Sequence, residues 1–126
     1  MVTAAVTAFL IAHGLIHLGI YIAPIKPDER VPYDPSSSWA LRALHVGTAP
    51  MHAAAASLAL MVAATYTAAG LAVPFSLPAA GGLALVAAGV ALVLKAVWYN
   101  PWLKLGVLLD FIVIYAVAYS WPPSLH

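Results

Sequence analysis

The run HGLIH places His13 and His17 four residues apart. On a helix that spacing sets two imidazoles on one face, one turn apart. Rings so placed can share a metal ion, pass a proton, or bond to a carbonyl on a neighbouring helix. Tyr21 and Thr3 fall on the same stripe. Further along, His45 and His52 are seven residues apart and would also share a helical face, about 10 Å apart along the axis. Thr48, Ala49, Ala56 and Ala59 would line that stripe. Pro50 would interrupt the helix there, kink it and free the Val46 carbonyl as an extra acceptor. Asp110 is the one acid inside an apolar run, and Gly106 precedes it by one turn.

The composition says what must position these groups. The chain has 126 residues, of which 64% are hydrophobic and 7% charged. A soluble domain carries about 25% charged residues. So little polar surface cannot coat a water-exposed globule. A formal net charge of +1 gives no footprint for phosphate backbones and excludes a nucleic-acid binder. With no cysteine, disulfides, thiolate metal sites and cysteine nucleophiles are excluded. There is no phosphate-binding glycine loop and no serine in a nucleophile elbow. Chemistry, if present, lies within the apolar segments.

Four runs read as spans, at about 2–23, 39–69, 75–99 and 102–121. Each is long enough to cross a hydrocarbon core of roughly 30 Å as a helix. The first carries two histidines and no basic n-region, so it reads as a retained span rather than a signal peptide. Pro24 and Pro27 end it. The polar stretch KPDERVPYDPSSS, within 24–38, reads as a surface loop, with Ser36, Ser37 or Ser38 capping the second helix. Gly70 and Pro74 punctuate the join between spans two and three, and Asn100-Pro101 that between three and four. Lys26, Arg30, Arg42, Lys95 and Lys104 all fall around the first and third connections. The positive-inside rule then puts those connections in the cytoplasm and both termini outside. Trp39, Trp98, Tyr99 and Trp102 would mark the cytoplasmic boundary, and Tyr66 and Trp121 the far one. The expected fold is all-α, an integral membrane four-helix transmembrane bundle of one domain. It would sit multi-pass in the cell membrane, with Ala80, Ala84 and Ala88 as a small-residue ridge for helix packing. Its partners would be the lipid bilayer and, through such ridges, a second copy or a larger membrane complex.

Depth brings the polar groups together. Counted from the cytoplasmic ends, His17 and His45 would lie roughly 10 Å in, Asp110 about 12 Å, and His13 and His52 about 16 and 20 Å. Ionisable residues inside a span are costly and mark function by default. Three chemistries fit. One is a metal site of His13, His17, His45, His52 and Asp110 holding copper, zinc or iron, with Tyr21 and Thr48 behind the ligands. A second is haem b between axial histidines, His17 with His45 or His13 with His52. The third is a proton or cation path. The leading expectation is a metal ion or haem held between spans one and two, for redox or metal-handling chemistry. A non-catalytic accessory subunit is the alternative, its histidines only joining helices and Asp110 pairing with a histidine or with Lys95. Met51 and Met61 read as packing, Lys95 and Lys104 as a path mouth or as snorkelling anchors.

The opening AHGLIHLGIY resembles the first span of a group of small four-helix bacterial membrane proteins that begin with an HG-x-IH run. The close of the chain, with Trp98, Lys104 and Gly106, is similar too. Together the two patches cover about a quarter of the sequence. The group has no activity to lend, so the resemblance implies topology alone. The KPDERVPYDPSSS loop and the pair His45 and His52 depart from it.

Overall fold

Alanine decides how the inner helices meet. In the computed structural model, residues 1–22 and 34–125 are described, and every regular element among them is helical. The elements are α1 (Val2–Tyr21), α2 (Trp39–Ala43), α3 (Thr48–Ala72), α4 (Ala79–Val97) and α5 (Lys104–Ala118), with 3₁₀ turns at Val73–Phe75, Pro101–Leu103 and Pro123–Leu125. Four segments are long and apolar enough to cross a membrane: Val2–Tyr21, Thr48–Phe75, Ala79–Val97 and Pro101–Ala118. The connection with Lys26 and Arg30, and the proline stops at Pro24 and Pro27, lie outside the described residues, as does His126.

α1 packs on α3, α3 on α4, and α4 on α5. Ala80, Ala84, Ala87, Ala88 and Ala91 are all buried on one side of α4, so the expected small-residue ridge is present and faces the core. Alanine surrenders no rotamer freedom on burial and lets backbones close up. Two glycines set the α1–α3 approach. A Cβ on Gly14 would stand 2.7 Å from Tyr66 Cβ, and one on Gly70 would stand 2.7 Å from Ile11 Cγ1. Gly82 and Gly89, which the sequence places beside the ridge, meet nothing within 4 Å. The apolar core falls into two clusters. One runs through Leu10, Val62, Ala69, Ala84 and Val113. The other gathers Tyr21, Met51, Ala55, Leu94 and Trp98.

The second expected helix is broken. α2 stops at Ala43, His45 turns the chain at φ 58°, and α3 starts only at Thr48 behind an extended Gly47. Pro50 therefore occupies the first turn of α3, where its missing N–H has no intrahelical partner to lose. It starts a helix rather than kinking one. The serine cap is Ser38, whose Oγ accepts from the Leu41 amide at 3.2 Å and donates to the Val97 carbonyl at 2.6 Å. Trp39 Nε1 donates to the Ala96 carbonyl at 2.7 Å. These bonds satisfy carbonyls at the end of α4 that the helix itself leaves open. Met51 is buried, and its sulfur accepts from the Ser38 amide at 3.1 Å. Asn100 caps the tight turn into α5 by accepting from the Trp102 amide at 3.0 Å.

Candidate functional site: a buried His–Asp–Lys–His network

The HGLIH pair faces the bundle interior because Gly14, between them, lets α1 lie against α3. His13 and His17 are both buried, with Tyr66 on α3, Lys95 on α4 and Asp110 on α5. Each of the four long helices therefore supplies at least one polar group to one place.

Asp110 is the hub. Its Oδ1 accepts from His13 Nε2 at 2.8 Å and from the Tyr66 hydroxyl at 2.7 Å. Its Oδ2 accepts from Lys95 Nζ at 2.6 Å. Lys95 Nζ also lies 2.7 Å from His17 Nε2, and His17 Nδ1 lies 2.9 Å from the His13 carbonyl. The partners fix the protons. A carbonyl only accepts, so His17 carries its hydrogen on Nδ1 and takes one from the Lys95 ammonium at Nε2. A carboxylate only accepts, so His13 carries its hydrogen on Nε2. Lys95 and Asp110 form a buried ion pair whose charges cancel.

Local sequence explains each placement. Gly106 and Asp110 share a face of α5, one turn apart. A Cβ on Gly106 would stand 2.8 Å from Lys95 Cε, so that glycine makes room for the lysine stem. Aromatic rings at the same four-residue spacing flank the histidines along α1. Phe9 stacks on His13 with ring centres 5.5 Å apart, and Tyr21 stacks on His17 at 6.3 Å. Tyr66 meets the His13 ring edge-on at 5.0 Å.

Of the residues singled out in the sequence, the structure brings together His13, His17 and Asp110, whose ligand atoms lie within 4.8 Å of one another. Tyr21 joins them by stacking. His45, His52 and Thr48 do not join: all three are exposed. His45 sits in the link between α2 and α3, so the seven-residue spacing no longer describes one helical face. The haem pairings with His45 or His52 therefore have no facing partner among these residues. Lys95 and Tyr66 belong to the network; the sequence offered Lys95 both as a partner of Asp110 and as a boundary anchor, and Tyr66 only as a boundary residue. A lysine inside an otherwise apolar run at the depth of Asp110 was the available signal for the first. For Tyr66 it was a hydroxyl in mid-helix that needs a partner.

A cleft of about 210 Å³ reaches this network between α1 and α5. Its floor includes His13, His17 and Lys95, and Ile16, Trp102 and Leu105 stand exposed at its rim. Searches of family models, curated proteins and solved structures found no match to this chain.

Proposed function

We propose that this is a multi-pass protein of the cell membrane, with both termini outside, that moves protons through the His13–Asp110–Lys95–His17 network. The observation that carries this reading is the Lys95 ammonium, bridging Asp110 Oδ2 at 2.6 Å and His17 Nε2 at 2.7 Å. It bonds two of the three side chains, Asp110 and His17, whose ligand atoms would otherwise be open to a metal ion. It also makes the hydrogen-bonded chain continuous from α1 through α5 and α4 back to α1.

The transfer balances as follows. A proton reaching His13 Nδ1 lets the Nε2 hydrogen pass to the Asp110 carboxylate. Lys95 gives a proton to His17 Nε2, which becomes an imidazolium. The Asp110 carboxylic acid, after turning its hydroxyl, returns a proton to the Lys95 amine. The ion pair is restored, one proton has entered at His13 and one is held on His17. Tyr66 holds the Asp110 carboxylate in place through the hydroxyl bond. The orientation rests on Lys26, Arg30, Arg42 and Lys104, which cluster around the first and third connections. Lys95 supplies no part of it, since its charge is buried against Asp110.

Proton flux into liposomes after a pH jump tests the proposal. Protein-dependent flux that Asp110→Asn abolishes supports it. Flux equal to that of empty liposomes, or undiminished in Asp110→Asn, overturns it.

A bound divalent ion is the second reading, favoured by the convergence of His13, His17 and Asp110. It requires Lys95 to release Asp110 and His17. Elemental analysis then finds metal in the purified protein, and more of it in Lys95→Met; metal-free protein in both removes this reading.

A further inference from the structure

The cleft between α1 and α5 ends on a donor that the network leaves unused. An ammonium carries three hydrogens. Lys95 spends one on Asp110 and one on His17. Lys95 is only 2% exposed, yet it lines the cleft. The walls between rim and floor are aliphatic: Ile16 and Ile20 from α1, Leu105 and Leu109 from α5. α1 and α5 are the outer helices of the row and touch each other little, and the cleft runs between them from exposed Ile16 and Leu105 to the 3₁₀ turn that carries Trp102.

We propose that this cleft binds a neutral, lipid-soluble carbonyl compound of the quinone class, its oxygen accepting the third Lys95 hydrogen. The assignment goes beyond the proton path proposed above: the ligand only accepts a hydrogen bond, and neither a proton nor an electron passes to it. Three features select the class. Entry past exposed Ile16 and Leu105 requires an apolar body. A cationic donor at the floor calls for an oxygen acceptor, the stronger kind of hydrogen bond. The ligand must carry no charge, because the Asp110 carboxylate 2.6 Å from Nζ repels an anion and Lys95 itself repels a cation. A carbonyl satisfies all three, whereas a fatty-acid carboxylate fails the last.

The test uses the full-length protein in nanodiscs and a short-chain alkyl-1,4-benzoquinone as probe, read by quenching of tryptophan emission. Trp102 at the rim is the expected reporter. The wild type shows a saturable phase that Trp102→Phe removes. The double substitution I20F/L109F, which fills the cleft without touching the network bonds, abolishes saturable binding. Lys95→Met weakens it about tenfold or more, the worth of one bond to a charged group. The corresponding alkylbenzene, matched in shape without the carbonyls, competes with the quinone for the saturable phase only weakly. Circular dichroism of each variant confirms that helix content is retained. Linear quenching by the quinone in wild type overturns the site. So does saturable binding unchanged in I20F/L109F, and binding unchanged in Lys95→Met overturns the contact with Nζ. The two readings fail separately. Asp110-dependent flux without saturable quinone binding removes this ligand and keeps the proton path, and saturable binding without flux does the reverse.

Discussion

Two stretches of this chain carry paired histidines, and they meet opposite fates. In α1, His13 and His17 sit at a four-residue spacing inside one unbroken helix, with a glycine between them that draws the helix onto α3. Both rings are buried and hydrogen-bonded. Between α2 and α3, His45 and His52 stand seven residues apart, but a left-handed turn and a new helix start separate them. Both are exposed. The comparison teaches that spacing has meaning only along a continuous helix. Shared burial also needs a residue small enough to let the neighbour in. A glycine with a close partner supplies that at position 14. At position 47 a glycine caps a helix instead.

Substitutions can break the contrast, and the largest effect falls on the buried side. Asp110→Ala strands the Lys95 ammonium inside the bundle, at a cost of about 3–5 kcal/mol for a buried pair that loses one partner. Replacing both, as Lys95→Met with Asp110→Leu, recovers most of that loss while ending proton movement. Unfolding in graded denaturant, with the double variant no more stable than Asp110→Ala, would show that the pair is not coupled. Next comes Gly14→Ala. Its new methyl falls 2.7 Å from Tyr66 Cβ, and forcing α1 off α3 should cost about 1–3 kcal/mol. Gly82→Ala, which meets nothing within 4 Å, is the matched control and should be no less stable than wild type. A smaller change, of opposite sign, is expected at His45. Its positive φ suits glycine, so His45→Gly should raise the unfolding free energy by about 0.5–1 kcal/mol; a loss of stability would mean the imidazole has a role in the link. Smallest of all is His52→Ala, expected within about 0.5 kcal/mol of wild type and with full proton flux. A strong effect there would erase the distinction between the two histidine pairs.

The four long apolar helices were legible because length and apolar composition are long-range signals that local details do not disturb. That Asp110 would lie near the HGLIH pair was legible from helical rise, although the count put it level with His17 and its direct bond is to His13. The break at His45 was hidden because Pro50 is compatible with two structures, a kink in a long helix or the first turn of a new one. Gly47 immediately before Thr48 favours the second, but weighs little beside a continuous apolar run. The partners of Asp110 were half visible. Charge pairing named Lys95 as one option, but the positive-inside pattern drew it toward the boundary with Lys104. Tyr66 was misplaced by the usual preference of tyrosine for interfaces, which says nothing once a carboxylate within the bundle offers its hydroxyl a better partner.

The alanine contact between α3 and α4 has a consequence for how the molecule assembles. Side chains that bring no rotamers to freeze let that hairpin zip early and independently of any charge. A variant without its polar centre, such as Lys95→Met with Asp110→Leu, should therefore keep its helix content and its α3–α4 contact, which circular dichroism and a cross-link between the two helices would read.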